Sequence, residues 1–384
     1  MKKKKIIVLG AGMVGSAIAL DLKKDYEVVS ADRSKEALGF LKAKGITTKQ
    51  ADLSNKKTVQ QLVKNFDLAV GAVPGFMGFQ TLKAIIEAKK NVVDISFFPE
   101  DAFLLNKLAQ QKGVTAVVDC GIAPGFSNMI AGYHHHRMLV RDFTCYVGGL
   151  PKERKPPFEY KAPFSPIDVL EEYTRPARLV VNDEEITVDA LTDIELLEFE
   201  KAGALEAFNT DGLRSLLHTV DIPNMKEKTL RYPGYAEKMK LLRDAGFFSQ
   251  TPVEVQGKKI RPLDVAAKIL FPQWRLEKGE REFTVMRVSV EGEENRKPVK
   301  YRYEIYDEYN AKTGISSMSR TTGYTCTAAV RLVLEGDYTQ KGISPPEFIG
   351  AREACFEFVK KYLEEKGISI KQSKKQLHLH PRIG

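Results

Sequence analysis

The sequence predicts an α/β protein, a doubly wound parallel sheet of the Rossmann kind followed by a second α+β domain with a mixed or antiparallel sheet. Three observations carry this. Short apolar runs alternate with helical patterns over residues 1–125. A glycine-rich turn, Gly10-Ala11-Gly12-Met13-Val14-Gly15, joins the first run to the first helical pattern. After Pro124-Gly125 the texture changes to strand-like stretches, a proline-rich loop and scattered helices.

In chain order the first part reads as strands at residues 5–9, 27–31, 47–50, 68–72, 91–95 and 115–118. Helices are expected between them at 14–23, 35–44, 56–64, 80–88 and 101–112. Most of these strands are continuous apolar runs, as strands covered on both faces should be. Strand–helix alternation with short loops implies right-handed crossovers and an open parallel sheet. Beyond residue 125, strands are expected at 143–149, 177–181, 185–188, 229–232, 282–291 and 300–306. Helices are expected at 166–173, 211–218, 235–245, 321–335 and 346–366, and residues 152–163 read as a long loop. The basic tail from Lys371 onward lacks periodicity and is expected to be loosely ordered.

The chain has 384 residues, with 59 Lys+Arg against 50 Asp+Glu, a net charge of +9. Hydrophobic residues make up 43%, which excludes a disordered or collagen-like chain. No apolar run reaches the eighteen or so residues of a membrane helix. The apolar stretch after the lysines at residues 2–5 is too short for a signal peptide, so export is not expected. Cys120, Cys145, Cys326 and Cys355 form no CxxC pair, which argues for reduced thiols in a cytoplasm rather than disulfides or structural zinc. His134-His135-His136 has no acidic or cysteine partner at ligand spacing, and His378 and His380 have still less, so no metal is expected. The lysine runs lack interleaved aromatics, so no nucleic-acid partner is expected.

The glycine turn follows an apolar strand and opens a helix, the context in which GxGxxG holds a dinucleotide. Gly10 serves the tight turn, Gly12 lets the backbone approach a pyrophosphate, and Gly15 brings helix and strand together. Met13 and Val14 lie on the same loop, at the helix N-terminus that receives the pyrophosphate. Asp32, at the end of the second strand, is placed to bind the ribose hydroxyls of NAD, while Arg33 and Ser34 leave NADP open. NAD is therefore the first expectation and NADP the alternative. Ligands of such a sheet sit beyond the carboxyl ends of its strands. This adds Asp52, Leu53, Ala72, Val73, Pro74, Asp94, Ser96, Asp119 and Gly121 to the cofactor candidates, with Asp94 and Asp119 also candidate bases.

The opening motif, the segment Asp119–Gly125 and several later stretches resemble the saccharopine dehydrogenase-like oxidoreductases, most closely the lysine 6-dehydrogenases. The later stretches are residues 146–151, Glu159-Tyr160 with 164–166, 173–177, 205–212, 229–234 and Thr321-Thr322-Gly323. The resemblance runs from Lys5 to about Tyr362. It implies NAD(P)-dependent oxidation of a carbon–nitrogen bond in a lysine-derived amino acid, a C-terminal helix returning to the nucleotide domain, and a homodimer. For a lysine 6-dehydrogenase the substrate is L-lysine, whose ε-amine is oxidised with release of ammonia. Relatives often carry His after the Arg-Tyr-Pro-Gly turn, and this chain has Tyr235. The expected organisation is a nucleotide domain at 1–125, a substrate and dimerisation domain at 126–320, returning helices at 321–366 and a tail at 367–384.

Hydride leaves an amine carbon only when the nitrogen is neutral, and a free lysine amine has a pKa of about 10.4, so a base or a desolvating pocket is required. The substrate carboxylate calls for an arginine fork, for which Arg214 and Arg231 are candidates. Tyr160, Glu206, Thr210 and Asp211 complete the substrate candidates, with Glu206 or Asp211 suited to an ammonium. Two alternatives stand beside lysine oxidation: a saccharopine dehydrogenase or related reductase acting on a lysine-derived secondary amine, and a dinucleotide-binding regulator without turnover.

Overall fold

The structure is a computed structural model and describes residues 3–163, 166–277 and 279–377. His378 and His380 lie outside the described residues. The chain divides into two compact units. One runs to His136 and resumes at Met318–Ile368; the other comprises Arg137–Ser317 and the chain from Ser369 onward.

The first unit is built on β1 (Lys5–Leu9), β2 (Glu27–Asp32), β3 (Thr47–Gln50), β4 (Leu68–Gly71), β5 (Asn91–Asp94) and β6 (Thr115–Val117). Their order is β3-β2-β1-β4-β5-β6, and every pair is parallel. The sheet has seven strands rather than the six expected, because Gly342–Ser344 adds in parallel to β6. Three residues are too few to show a period in sequence. Ser34 and Asn55 cap the second and third helices by accepting the N–H of Ala37 and Thr58, as short polar side chains at that position do. The fourth helix spans Gly75–Glu87 and so starts five residues before the expected Gln80. Its glycines hide it from propensity, but Gly78 is required by packing: a Cβ there would lie 2.7 Å from Phe98 and Ser96 side-chain atoms.

The returning helices, Ser317–Glu335 and Glu353–Glu365, are tied to the first helix, Met13–Leu22, through Asp21. Its carboxylate accepts from Thr327 Oγ1 at 2.9 Å, from Tyr362 OH, and from Lys366 Nζ at 2.5 Å. Burial opposes ionisation of Asp21, but the bonds from Lys366, Tyr362 and Thr327 outweigh it and hold the carboxyl below its usual range.

In the second unit a nine-stranded sheet runs Glu195–Phe199, Gly203–Asn209, Asn224–Arg231, Leu139–Pro151, Glu282–Glu294, Lys297–Glu308, Ser369–Gln376, with Ala177–Val181 and Glu184–Val188 attached beside Asn224–Arg231. It is mixed, since Asn224–Arg231 runs parallel to Leu139–Pro151 while the other pairs are antiparallel. One apolar cluster includes Leu150, Leu205, Leu230 and Phe283. Another joins Phe208 to Tyr173, Tyr235, Leu270 and Trp274 of the helices Pro166–Thr174, Tyr235–Asp244 and Pro262–Trp274.

Three expectations for this unit are corrected. The tail is not loose over Ser369–Gln376, which forms an edge strand on Lys297–Glu308. It is held by backbone pairing and by Lys371–Glu200 and Lys374–Glu294 ion pairs, none of which requires apolar alternation. The helix expected at 211–218 shrinks to Leu216–Thr219, and Arg214 takes a left-handed φ of 55°. The strands at 195–199 and 203–209 and the helix at 262–274 were not expected; the first carries acidic residues and the last an internal Pro272, both weak signals for their element.

Replacing Asp21 by Asn should lower the stability of the chain by about 2 kcal/mol, the scale of hydrogen bonds to a charged group. The sign with pH follows from the lowered pKa. Wild-type stability from this group is present above the unfolded carboxyl pKa near 3.8 and is lost as pH falls through the folded value. Urea melts of both proteins should therefore differ at neutral pH and converge in acid; a constant difference would remove the ion pair as the cause.

Candidate functional site

Candidate residues collect in two places, one in each unit. In the first, the strand order places the change of direction between β1 and β4, whose carboxyl ends touch. Gly10 has φ +115°, and a Cβ on it would lie 2.1 Å from Ala72 O. A Cβ on Gly12, by contrast, would meet nothing within 4 Å. The backbone at Gly12 is thus open to a ligand at the start of the helix Met13–Leu22, which has no side-chain cap, as a dinucleotide pyrophosphate requires. Met13 is exposed there, and Val14 follows it.

Asp32 closes β2. Its Oδ2 accepts the N–H of Ala11 at 2.7 Å and its Oδ1 that of Ser34 at 2.8 Å. The carboxylate is held against the glycine loop, with Arg33 exposed beside it. Asp52 is turned to its own loop, accepting from the N–H and hydroxyl of Ser54. The side chain of Leu53 belongs to the core, so only its backbone is available to a cofactor. Ala72, Val73 and Pro74 line the end of β4 before the helix Gly75–Glu87.

Asp94 is fully buried under Gly71: a Cβ on Gly71 would lie 1.7 Å from Asp94 Oδ2. Burial pushes its carboxyl up to about 8, against the bonds it accepts from Ser96. Within its unit Asp94 is thus enclosed beneath the end of β4. Asp119 lies 7% exposed with φ 50°, and Gly121 packs beside Thr322. Cys120 is buried, and burial raises its thiol far from reactivity.

In the second unit alternation along one strand gathers a buried polar cluster. On Asn224–Arg231, Leu230 faces one apolar cluster, while Glu227, Thr229 and Arg231 point to the other side. Glu206 stands opposite Arg231 in the neighbouring strand, and Phe208 opposite Thr229. Arg231 is 3% exposed. Its Nη2 donates to Glu172 Oε2 at 3.2 Å and Tyr173 OH at 3.1 Å, and its Nη1 to Leu230 O at 2.9 Å. The guanidinium lies 4.4 Å from the Tyr160 ring centroid, with the Tyr173 and Tyr235 rings at 6.0 and 5.8 Å. Tyr235 and Tyr173 share a hydroxyl–hydroxyl bond of 3.0 Å.

The sequence candidates of this unit thus come together, but several are committed internally. Glu206 accepts the N–H groups of Gly234 and Ala236 at 2.7 and 2.6 Å, and so fixes the start of the helix Tyr235–Asp244. Asp211 takes a bidentate pair from Arg178 at 2.9 Å each. Thr210 bonds Glu227 and Thr229. Arg214 is buried near the same loop. Glu172, Tyr173, Arg178 and Glu227 were not singled out from sequence. Glu227 had a signal in its alternation with Thr229 and Arg231, whereas Glu172 is one of several acids on a helix. Burial raises the carboxyl of Glu227 to about 8, with Glu172 and Asp211 adding to it, and raises that of Glu172 to about 7 against the pull of Arg231.

Two outcomes follow. Gly12→Val should melt close to wild type and lose dinucleotide affinity at least tenfold in calorimetry, while Gly10→Val should not fold stably. Equal loss of folding in both would contradict the open backbone at Gly12. For Glu227 the folded pKa is raised, so its neutral form favours the folded state at low pH and stability falls as pH rises from about 4.5 towards 8. Glu227→Gln should flatten that fall, and the gap between melting temperatures should widen in its favour with pH; parallel melting curves would exclude it.

Comparison with known proteins completes the picture. Residues 6–117 match the saccharopine dehydrogenase NADP binding domain and residues 121–368 the saccharopine dehydrogenase C-terminal domain. The chain is 24% identical over 428 residues to the saccharopine dehydrogenase [NADP(+), L-glutamate-forming] of Pyricularia oryzae, covering 90% of this chain and 94% of that protein. It is 25% identical over 260 residues to the mitochondrial alpha-aminoadipic semialdehyde synthase of Mus musculus, covering 62% of this chain but spanning only 28% of that protein. The fold is that of apo saccharopine dehydrogenase (L-Glu forming) from Saccharomyces cerevisiae, with a TM-score of 0.78 at 20% identity over 97% of this chain and 100% of that one. The chain belongs to the saccharopine dehydrogenase family, and its first unit carries that family's NAD(P)-binding domain.

Proposed function

We propose that the protein is an NAD(P)-dependent dehydrogenase that oxidises the ε-amine of L-lysine to the semialdehyde with release of ammonia. Membership of the family supports dehydrogenation at a carbon–nitrogen bond. The observation that carries the choice of lysine is the charge of the second unit's buried polar cluster. Glu172, Glu227, Asp168 and Asp211 gather there, while Arg231 and Arg178 already pair with acids of the chain. Such a cluster attracts an ammonium and resists a crowd of carboxylates.

The nicotinamide supplies the hydride acceptor when bound. Gly10, Gly12 and the helix start at Met13 would receive the pyrophosphate, with Asp32 and Arg33 beside the adenosine ribose. Asp119 and Gly121 lie at the strand ends where the nicotinamide end is expected. The amine must lose a proton before hydride leaves it. Glu227 and Glu172, raised towards neutrality, are suited to accept that proton near physiological pH. Arg231 holds Tyr160, Tyr173 and Glu172 in place; its Nε, Nη1 and Nη2 each donate inside the chain, so its part is positioning rather than capture of the substrate carboxylate.

A second reading, oxidation of saccharopine, is favoured by the named activity of the Pyricularia oryzae relative, which the alignment covers almost end to end. Reduction of NAD and of NADP should be followed at near-ultraviolet wavelengths with L-lysine and with L-saccharopine in turn. The proposal expects reduction with lysine and stoichiometric ammonia. Turnover with saccharopine alone, yielding glutamate, establishes the second reading. Binding of dinucleotide without turnover on either points to a regulator.

A further inference from the structure

The segment Thr321-Thr322-Gly323 lies on the returning helix Ser317–Glu335, in the part that belongs to the first unit. This helix runs parallel to the helix Met13–Leu22. Gly323 packs on Ala17 and Ile18, a Cβ there lying 3.5 and 3.3 Å from their side chains. Four residues further along each helix, Thr327 bonds Asp21. Both helices therefore start at the same end of the sheet, the end at which the backbone of Gly12 is open. From Ser316 to Val330 every residue except Thr322 is buried. Thr321, Thr325 and Thr327 are fully buried, and their hydroxyls donate to Met318 O, to Thr321 O, and to Tyr324 O and Asp21. Thr322 differs in both respects. It is partly exposed, and among the described residues its hydroxyl donates only to the Met318 sulfur, at 3.6 Å, a weak acceptor.

The strand ends set the place of this hydroxyl. Leu9, Gly71 and Asp94 stand level in adjacent strands. The N–H of Cys120 bonds Asp94 O, so Gly121 lies just past that level. A Cβ on Gly121 would come within 3.2 Å of Thr322 Cγ2 and 3.8 Å of its Oγ1. Thr322 thus stands beside the carboxyl ends of β5 and β6, on the far side of β1 from Asp32 at the end of β2. A dinucleotide whose adenosine ribose lies at Asp32, and whose pyrophosphate crosses at Gly12, brings its nicotinamide to this side.

We propose that Thr322 is a cofactor-binding residue, its hydroxyl hydrogen-bonded to the carboxamide of the nicotinamide. A carboxamide carries both a donor and an acceptor, and a hydroxyl serves either. With the carboxamide held, the ring does not turn about its bond to the ribose, and the face that C4 offers to the substrate is fixed. Packing does not call for the hydroxyl, since a valine would supply the methyl that Gly121 meets. The proposal rests on the dinucleotide reading of the first unit and holds whichever amine is oxidised.

Thr322→Val removes the hydroxyl and keeps the shape, whereas Thr322→Ser keeps the hydroxyl and removes the methyl. Calorimetry on the full chain should show NAD bound about five- to tenfold more weakly by Thr322→Val, the scale of one neutral hydrogen bond. ADP-ribose, which lacks the nicotinamide, should bind Thr322→Val as it binds the wild type. Thr322→Ser should hold NAD within about twofold of the wild type, because the bond is retained. If the wild type prefers NADP, then NADP and 2′-phospho-ADP-ribose form the corresponding pair. Circular dichroism checks the fold, and Thr322→Ala set against Thr322→Ser gives the same contrast if Thr322→Val fails to fold. Wild-type NAD affinity in Thr322→Val, an equal loss for ADP-ribose, or as large a loss in Thr322→Ser would overturn the proposal, the last by assigning the effect to the methyl. A wild type that binds neither dinucleotide would overturn it together with the dinucleotide reading of the first unit.

Discussion

A guanidinium cannot shed its charge when it is buried, so every element packed around Arg231 has to offer it an acceptor or a ring face. The helix Pro166–Thr174 supplies Glu172 and Tyr173, the loop before it Tyr160, the strand itself Leu230 O, and the helix Tyr235–Asp244 the ring of Tyr235. Four segments, drawn from residues 160–174 and 224–244, are thereby fixed about one side chain. Glu206, opposite Arg231 in the next strand, does not pair with it but caps the helix that brings Tyr235 in. Around Arg231 each neighbour thus holds the next.

The first unit depends on contact of another kind. There the glycine loop and the end of β4 approach so closely that Gly10 admits no side chain, and the same approach leaves the backbone at Gly12 clear. Asp32 ties the loop to β2 through the N–H of Ala11. Asp21, on the helix that the loop opens, is bonded in turn by Thr327, Tyr362 and Lys366. The nucleotide frame is therefore completed only by residues more than three hundred positions later in the chain, which is why those helices and the seventh strand belong with it.

Period and punctuation made β1 to β6 legible, because strands buried on both faces read as apolar runs and the glycine spacing has one common use. The short strand Gly342–Ser344 and the edge strand Ser369–Gln376 were illegible for opposite reasons, the first too brief to show a period and the second held by backbone and charge rather than apolar alternation. In the site, Gly10, Gly12 and Asp32 could be named because the motif fixes their geometry. Tyr160, Glu206 and Arg231 could be found as polar groups on matched segments, but not what they bond to. Glu172 and Glu227 escaped because a charged residue on an amphipathic element ordinarily faces water, and only tertiary packing turned these two inward.

The inward carboxyls also bear on the substrate. At an effective dielectric constant near 20, two unit charges about 6 Å apart interact by about 3 kcal/mol. Each carboxylate of a tricarboxylic substrate would meet a repulsion of that order from any ionised acid of the cluster, and Arg231 and Arg178 are paired already. An ammonium meets the same field as attraction. As it enters it stabilises the ionised form of Glu227 and Glu172, and when either carboxylate takes its proton the amine becomes neutral in a site that has just lost the charge holding it as a cation. On the proposed oxidation of lysine, the group that draws the substrate in is then the group that prepares it for hydride loss. This coupling needs carboxyls whose protons exchange near neutrality, and burial beside one another provides them.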